Sequence, residues 1–446
     1  MEEKLGRSKI LQRKMSEKQK INILWFTSNL RIRDNELLLR IQQDDLPFIA
    51  VYIFDHSFFH QKQSGFRKIG QFRAKFLLET VLDLEKNLAQ IKIPFLKKLG
   101  KTAEIFRKLS DQYEIQTIFC QKEWTKEETD VQENVKKGLP ETRWSLSYTQ
   151  LLLEPNFVFS QLPQIPVQFT TFRQKVEKNF TVRQEFISNK TKEFTDFEMN
   201  LKSDDINLEA LGFKDFDHHE FSAFPFFGGE SEALQRLNSY FFETKNISRY
   251  KETRNGMTGS DYSSKFSAWL ANGSLSAVSV YHEIKKYEAE FGSNESTYWL
   301  VFELLWREFF KYVAMAHQDR IFHLKGILNT EYTFQSDKNL MNDWIRGCTK
   351  SDFINAHMLE IGKTGWMSNR GRQNAASYFC KILHQDWRIG AGYFEEMLVD
   401  YDVHSNYGNW IYLAGVGNDP RSRTFNPERQ AEQYDNNHRF RNLWLQ

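Results

Sequence analysis

Short apolar runs alternate with amphipathic segments through the first third of the chain. The runs INILWF, FIAVYIF, IKIPFL and IQTIFC each have the length of a strand. Between them, segments such as 66–90 repeat apolar residues at helical spacing. Because strands that alternate with helices form parallel sheets, residues 21–150 are expected to form a Rossmann-like α/β domain. No GxGxxG follows the first strand, so the dinucleotide-binding fingerprint is absent.

The pattern changes after residue 150. Residues 151–230 carry four prolines and the acidic stretch SDDINLEALGFKDFDHHEF, which predicts an interdomain linker. From 231 to 446 apolar residues recur at helical spacing without strand patterns, so an all-α domain is expected there. Residues 1–20 mix acids with bases and lack an apolar core, and they are expected to form a mobile tail.

Composition indicates a globular protein whose charge is nearly balanced. Of the 446 residues, 40% are hydrophobic, which is enough to bury sizeable cores. A net charge of +2 gives no long-range field for tight nonspecific binding of nucleic acid, so any anion site is expected to be a local patch. Tryptophan is the residue that generic core filling explains least, and its 11 positions are candidates for a functional role.

Cysteine spacing and the length of the apolar runs bear on the compartment. Cys120, Cys348 and Cys380 show no CxxC spacing, which favours a reducing compartment, the cytoplasm, over a disulfide framework. The longest apolar run, LPFIAVYIF, is far too short to span a membrane, and no membrane association is expected. The adjacent acid and histidines at 217–219 have no second ligand cluster, so no metal site is predicted.

The segment STYWLVFELLWREFFKYV is expected to form a buried helix, because it is apolar on all sides. Trp299, Glu303, Trp306, Arg307 and Phe310 share one face at helical spacing. Burial of the Glu303 carboxylate costs several kcal/mol unless a partner is present. Taken alone, the pattern favours a structural explanation, an i,i+4 ion pair between Glu303 and Arg307.

Three further clusters in the helical half carry polar groups. TGWMSNRGRQNAASYF places Asn369, Arg372 and Gln373 on one helix stripe. YKETRNGMTGSDYSSKFSAWL supplies the hydroxyls of Tyr250, Ser263, Ser264 and Ser267. DYDVHSNYGNW adds two carboxylates, two amides and a histidine. Each cluster alone is explained by a polar helix face, a helix cap or a surface loop. Four clusters in one helical domain indicate a large, flat, polar ligand, which would be a cofactor.

These clusters lie in motifs that resemble one known family. The strings ILWFTSNLRIRDNE, YKETRNG, FELLWREFF, WMSNRGRQN and DYDVHSNYGNW, with AGVGNDP after the last, resemble the photolyase/cryptochrome family and are closest to its cryptochrome DASH branch. The resemblance extends from Ile21 to Leu445, and the motifs are jointly specific. It implies an N-terminal α/β domain and a C-terminal all-α domain that binds FAD.

The resemblance also implies how the cofactors would be bound. Asp400 and Arg372 are expected to form a buried pair beside the isoalloxazine ring, with Asp402 near the adenine and Asn406 facing flavin N5. The residues expected to bind FAD are Tyr250, Ser263, Ser264, Ser267, Arg307, Asn369, Arg372, Asp400, Asp402 and Asn406. A methenyltetrahydrofolate antenna is expected near Glu123, although the strand WSLSY departs from the WGSTLY-like pattern of the family.

The implied activity is blue-light-driven repair of cyclobutane pyrimidine dimers, in which reduced flavin lends one electron to the dimer. The expected catalytic residues are Glu303, Asn369, Arg370 and Asn406. Glu303 would hydrogen-bond the carbonyl oxygens of the dimer. The expected substrate contacts are Trp306, Gln373 and Tyr412. Because Tyr412 replaces a bulkier tryptophan of duplex-acting photolyases, single-stranded DNA is the expected substrate.

A chain of tryptophans passes electrons to the photoexcited flavin in this family. Trp410 and Trp387 match its two inner members. The outer position is Phe334, and phenylalanine is much harder to oxidise than tryptophan. The residue that supplies electrons to Trp387 therefore stays open, with Tyr332 as one alternative.

Two functions follow from the resemblance. The first is a photolyase that acts on single-stranded DNA, with duplex DNA and RNA left open. The second is a non-enzymatic blue-light photoreceptor that signals through a partner protein or nucleic acid. Glu303, Asn406 and the lack of a long extension after RNLWLQ favour the enzyme. A monomer is expected.

Overall fold

A five-stranded sheet forms the core of the N-terminal domain in the computed structural model. The structure describes residues 18–60, 62–63, 65–187, 201–419 and 424–446. The strands of this sheet are β1 (Gln19–Phe26), β2 (Phe48–Asp55), β5 (Phe95–Gly100), β6 (Tyr113–Gln121) and β7 (Arg143–Ser147). They lie in the order β5-β2-β1-β6-β7, and all neighbours are parallel. The short strands β3 (Lys62–Gln63) and β4 (Phe66–Arg67) form a separate antiparallel pair.

Helices cover both faces of the sheet, which explains why its strands are continuous apolar runs. On β1, Leu24 and Phe26 are buried in one core, and Ile23 and Trp25 in the other. The helices of this domain are α1 (Glu36–Gln42), α2 (His56–His60), α3 (Gln71–Gln90), α4 (Thr102–Gln112) and α5 (Lys126–Gly138). The prediction of a Rossmann-like parallel sheet is confirmed. β1 begins inside the predicted tail, of which residues 1–17 lie outside the described part of the chain.

The predicted linker, 151–230, is more ordered than its composition indicates. It contains α6 (Pro155–Gln161) and α7 (Phe169–Val176). Phe169 and Phe172 on α7 are buried in the same hydrophobic core as the helical domain. Its first half is therefore part of the helical core.

The C-terminal half is helical, and the prediction of an all-α domain is confirmed. Its helices are α8 (Glu230–Asn238), α9 (Tyr250–Thr253), α10 (Ser267–Asn272), α11 (Ala277–Phe291), α12 (Glu295–His317), α13 (Lys338–Arg346), α14 (Asp352–Thr364), α15 (Asn369–Ser377), α16 (Trp387–Met397), α17 (Val403–Ala414), α18 (Pro427–Tyr434) and α19 (Arg439–Trp444). Within the residues that the structure describes, no helix is long and apolar enough to cross a membrane.

Two of the contacts between the domains involve the backbone that follows β1. Glu230, at the start of α8, accepts hydrogen bonds from the backbone N–H groups of Ile32 at 2.8 Å and Arg33 at 2.7 Å. At Gly273, where φ is +73°, a Cβ atom would lie 2.0 Å from the carbonyl oxygen of Ser28. Only glycine permits this approach. The helical domain is thus fixed against the carboxyl end of β1.

Candidate cofactor and substrate site

A deep cavity opens in the helical domain, and most of the predicted site residues line it. Its volume of about 480 Å³ is within the range of about 300–1,000 Å³ typical of small-molecule sites. The predicted residues on its wall are Tyr250, Ser263, Ser264, Ser267, Glu303, Trp306, Arg307, Asn369, Arg372, Gln373, Asp400, Asp402, Asn406, Trp410 and Tyr412. We call it the helical-domain cavity. Folding brings together motifs from α9, α10, α12, α15, α17 and their preceding loops.

Three predicted residues do not line the helical-domain cavity: Arg370, Trp387 and Glu123. Arg370 donates to the side-chain oxygens of Gln373 and Asn255 at 3.1 and 3.2 Å. It is therefore one residue removed from the wall, because Gln373 does line the cavity. Trp387 is fully buried in the helical core, and Glu123 lies in the N-terminal domain.

Asp400 and Arg372 form the ion pair that the resemblance implies. Arg372 Nη2 lies 2.8 and 3.0 Å from the two carboxylate oxygens of Asp400, which is buried. Ser267 donates to the same carboxylate at 2.6 Å, and Arg372 Nε donates to the carbonyl oxygen of Met367 at 2.9 Å. Three separate segments fix the pair, and its two charges balance each other in a poorly solvated place.

Glu303 is paired with Arg254 and not with Arg307. The Arg254 guanidinium contacts the Glu303 carboxylate, and the two side chains are 21% and 29% exposed. Arg307 instead donates to the carbonyl oxygens of Gln150 at 2.8 Å and Leu270 at 3.3 Å. The predicted i,i+4 pair is therefore wrong, because backbone acceptors from other segments bind the guanidinium of Arg307. Arg254 lies in the motif YKETRNG, and no sequence spacing between that motif and Glu303 predicts the contact.

Glu308 is a second buried acid, which sequence reasoning missed. It accepts from the backbone N–H groups of Leu152 at 2.9 Å and Leu153 at 3.1 Å, and it lies 3.1 Å from Arg307 Nη1. Burial raises the pKa of the Glu308 carboxyl, although Arg307 and the backbone N–H groups oppose the shift. Glu308 therefore attaches the first residues of the predicted linker to α12.

Asp402 is the N-cap of α17 and part of a buried charge cluster. Its side chain accepts from the backbone N–H of Ser405 at 2.8 Å. The fully buried Lys311 lies 3.1 Å from both Asp402 Oδ2 and His404 Nδ1. Burial alone would raise the pKa of Asp402, but the charge of Lys311 holds it well below its usual range. Burial and Lys311 lower the pKa of His404 to about 4, so its imidazole is neutral at pH 7.

Trp306 lines the helical-domain cavity, but one of its faces is covered. Its ring stacks on Phe169 of α7 with centroids 3.8 Å apart and planes at 17°. It also contacts Phe310 at 5.5 Å. Only the part of the indole that faces the cavity is left for a ligand. Phe169 was missed because it lies in the predicted linker.

Lys265 lines the helical-domain cavity and has no hydrogen-bond partner for its ammonium group among the described residues. Its Nζ lies 3.2 Å from the centroid of the Tyr262 ring and 4.7 Å from that of Trp366. Lys265 is 2% exposed, and burial lowers its pKa well below the usual value. A neighbouring anion favours the protonated form of such a buried amine, so Lys265 is a candidate to balance the charge of an anionic ligand.

The three residues that match the tryptophan chain of the family differ in their exposure. Trp410 is on the cavity wall and Trp387 is fully buried. Phe334 is 38% exposed, and the Tyr332 ring lies 6.3 Å from it. The Tyr332 hydroxyl donates to the carbonyl oxygen of Gln385 at 2.8 Å.

Glu123, the acid expected near a folate, faces the interior. It lines a second cavity of about 210 Å³ at the carboxyl ends of β1 and β2, with Tyr401 and Ala271 shared between the two cavities. Glu123 accepts from Gln121 at 2.6 Å and Gln150 at 3.2 Å, and burial raises its pKa to about 8. Among the described residues, no group of His, Cys, Asp and Glu side chains is arranged to hold a metal ion.

Comparison with known proteins gives matches along most of the chain. The family model described as DNA photolyase matches residues 22–192, and the one described as FAD binding domain of DNA photolyase matches residues 299–446. Cryptochrome DASH from Synechocystis sp. is 40% identical over 436 residues, which are 95% of this chain and 87% of that protein. Cryptochrome DASH from Xenopus laevis is 40% identical over 439 residues, covering 96% and 82%.

Solved structures agree in fold. The crystal structure of a Synechocystis sp. cryptochrome superposes with a TM-score of 0.92 at 38% identity, covering 97% of this chain and 89% of that one. A class III photolyase from Agrobacterium tumefaciens, at 24% identity, shares the fold with a TM-score of 0.82, covering 97% and 88%.

FAD fits the helical-domain cavity by the chemistry of its wall. The pyrophosphate of FAD needs donors and positive charge, which Ser263, Ser264 and the unpartnered ammonium of Lys265 offer. The flat ring needs a polar edge beside apolar surface, and the Asp400–Arg372 pair lines the same wall as aromatic and aliphatic side chains.

Proposed function

Because this chain belongs to the cryptochrome DASH branch of the photolyase/cryptochrome family, we propose that it repairs cyclobutane pyrimidine dimers under blue light, preferentially in single-stranded DNA. FAD is its cofactor. One observation carries the proposal: Glu303 lines the same cavity as the Asp400–Arg372 pair. An acid in contact with the cofactor cavity can act on a substrate that lies against the cofactor.

The first task of the chain is to hold and orient FAD. Bound and reduced, FAD supplies the light-driven electron that opens the dimer. Arg372 and Asp400 would present a charge-paired polar edge to the ring. Asn406 Nδ2 donates to the carbonyl oxygen of Ala391 at 3.1 Å, which fixes the plane of the amide. The amide oxygen of Asn406 is then available to accept a hydrogen bond from the ring.

The second task is to bind the dimer and stabilise the charge that develops on it. Glu303 must carry a proton to donate to a carbonyl oxygen of the dimer, because a carboxylate only accepts. Arg254 contacts the Glu303 carboxylate, so this contact has to open before Glu303 can donate to a substrate. A hydrogen-bond donor placed where charge develops contributes about 2.7–4 kcal/mol to transition-state stabilisation. Trp306 and Gln373 would contact the flipped bases, with Asn369 between FAD and substrate.

The preference for single-stranded DNA follows from the small apolar surface that the cavity offers to a bound dimer. Extraction of a dimer from a duplex costs a few kcal/mol of unpairing and unstacking. Tyr412 offers less apolar surface than a tryptophan would, so less stacking energy offsets that cost. A dimer in a single strand needs no unpairing.

The test is blue-light-dependent loss of a thymine dimer from a single-stranded oligonucleotide, with the protein reduced and FAD content measured. A matching duplex and a dark sample run beside it. Repair of the single strand in light, and weaker repair of the duplex, would support the proposal. No repair with reduced FAD bound would overturn it and favour the non-enzymatic photoreceptor.

We also propose a monomer in a reducing compartment such as the cytoplasm, with Cys120, Cys348 and Cys380 free. Methenyltetrahydrofolate near Glu123 stays a prediction. Absorption of the purified protein beyond the bands of FAD would test it.

A further inference from the structure

The aromatic chain from the helical-domain cavity stops at a ring that solution cannot reach. Trp387 has no exposed surface, so a soluble reductant cannot contact it. The outer position matched by the family is Phe334, which is too hard to oxidise to pass an electron on. An electron that leaves Trp387 therefore has to be replaced by a different oxidisable side chain.

Tyr407 supplies the ring contact of Trp387 within the described residues. The two ring centroids are 6.2 Å apart, with planes at 78°. Tyr407 lies on α17, one turn before Trp410, and packs edge-on against Phe322 at 4.7 Å. Tyr407 is 8% exposed, so its ring is fixed in the core.

Tyr407 also has the base that its oxidation requires. A phenol that loses an electron becomes a strong acid, so a neighbouring proton acceptor decides whether the electron can leave. The Tyr407 hydroxyl donates to Glu395 Oε2 at 3.2 Å. Burial raises the pKa of the Glu395 carboxyl, although Lys68 and Arg73 oppose the shift. Glu395 is therefore a better proton acceptor than a solvated carboxylate.

Glu395 is connected to the surface through charged side chains. Its Oε1 lies 3.5 Å from Lys68 Nζ, and Lys68 forms an ion pair with Glu127. The Glu127 side chain is 44% exposed. A proton on Glu395 therefore has a short route to water.

Two other tyrosines near the chain lack one of these features. Tyr332 donates to the amide carbonyl oxygen of Gln385, which is too weak a base to take the proton. Tyr393 can be reached from Trp410 through Trp344, with centroid distances of 6.4 and 5.5 Å. No carboxylate is bonded to the Tyr393 hydroxyl in the part of the chain that the structure describes. Of these three tyrosines, Tyr407 is the one that combines a ring contact with Trp387 and a hydroxyl hydrogen-bonded to a carboxylate.

We propose that Tyr407 is the terminal electron donor to Trp387 and that Glu395 accepts its proton. After light drives one electron from Trp410 to FAD, Trp387 refills Trp410, and Tyr407 refills Trp387. The O–H bond of Tyr407 breaks, its electron goes to Trp387 and its proton to the Glu395 carboxylate. A neutral tyrosyl radical and a carboxylic acid remain. A thiol in solution supplies, overall, one electron and one proton that restore Tyr407, and Glu395 releases its proton to water.

This assignment rests on the roles expected for Trp410 and Trp387 in the proposed function. The test therefore distinguishes failure of the Tyr407 assignment from failure of the tryptophan chain. Protein with oxidised FAD bound is excited by a blue flash, in wild type, Tyr407→Phe and Glu395→Gln. Tyr332→Phe and Tyr393→Phe are matched controls that lose the same hydroxyl elsewhere. The readouts are the tyrosyl radical by transient absorption and electron paramagnetic resonance, and the protonated carboxyl band by infrared difference spectroscopy. FAD content establishes folding in each variant.

We expect the tyrosyl radical in wild type and in both controls, and its loss in Tyr407→Phe, where only a short-lived tryptophan radical should form. In Glu395→Gln the carboxyl band should vanish and the tyrosyl yield should fall. A radical that persists in Tyr407→Phe and disappears in Tyr332→Phe or Tyr393→Phe would overturn the assignment. Persistence in Trp387→Phe would overturn the proposed chain itself. When FAD is reduced chemically, dimer repair does not need electrons from Tyr407. A failure to repair dimers under that condition would therefore count against the proposed function and not against the role of Tyr407.

Discussion

Asp400 is a buried residue whose loss should affect both stability and cofactor binding. Its carboxylate is paired with Arg372 and is almost entirely shielded from water. Asp400→Ala would leave that guanidinium uncompensated. Because the Arg372 side chain is 24% exposed, we expect the free energy of unfolding to fall by about 1–3 kcal/mol, and FAD to be lost. Urea unfolding and the absorbance of bound flavin measure the two effects. The double variant with Arg372→Leu should recover part of the stability, and a single variant as stable as wild type would contradict the pairing.

Glu360 should give the stability a pH dependence. It is fully buried, neither of its oxygens has a hydrogen-bond partner among the described residues, and burial raises its pKa from about 4.5 to about 8. Between these values the folded protein holds a proton that the unfolded chain has lost. Stability from this group therefore falls as pH rises, by about 1.4 kcal/mol per pH unit. His357, 3.7 Å away, is neutral throughout this range, since burial lowers its pKa to about 3.

Urea unfolding of wild type and Glu360→Gln, measured from pH 5 to pH 8, checks this prediction. The amide cannot titrate, so the variant should lack this part of the slope. Parallel pH profiles in the two proteins would show that Glu360 is ionised in the folded state.

Residues of the site were easier to predict than their partners. Tyr250, Asp400 and Asn406 stand in local motifs, and the structure brings them to one cavity. The predicted partner of Glu303 was wrong because helical spacing points to Arg307, whereas the observed partner, Arg254, lies in a segment distant in sequence. No local pattern contains that contact.

Between elements, α16 and α17 pack closely because Gly390 has no side chain. A Cβ atom there would lie 2.3 Å from the Trp410 ring, whereas one at Gly392 would meet only Phe66 at 3.5 Å. Gly390→Ala should therefore lower the free energy of unfolding by about 1–3 kcal/mol and displace Trp410. Gly392→Ala, on the same helix, should be neutral or stabilising by about 0.5–1 kcal/mol. Thermal unfolding compares them, and equal effects would contradict the packing argument.

Periodicity predicted long elements better than short ones. Four strands of the parallel sheet and helix α12 carry apolar patterns long enough to be recognised, whereas the short edge strand β7 was not among the predicted apolar runs. Helices α6 and α7 were not predicted because they are short and lie among prolines. Phe169 and Phe172 stabilise α7 by packing on Phe309 of α12, a tertiary contact that has no signature in the local sequence.

In the molecule as a whole, the core around the cavity is built from the N-terminal domain, the linker and the helical domain. The core around it contains Phe72 and Phe76 of the N-terminal domain, the first half of the linker, and the helices of the C-terminal half. Glu308 on α12 fixes Leu152 and Leu153, so the linker is part of the site's support. The sequence predicted two domains but not this shared core, because contacts between distant segments decide it.

The proposed function requires that Glu303 act on a dimer lying against FAD. The measurement is the single-turnover rate of light-driven dimer loss from a single-stranded oligonucleotide by reduced wild type, Glu303→Ala and Glu303→Gln, beside the affinity of each for that oligonucleotide in the dark. Glu303→Ala should lose about 10²–10³ in rate with little change in dark affinity, because it lacks a donor needed as charge develops. Glu303→Gln should keep much of the rate, since its amide still donates. An unchanged rate in Glu303→Ala, at equal FAD content and affinity, would contradict the account.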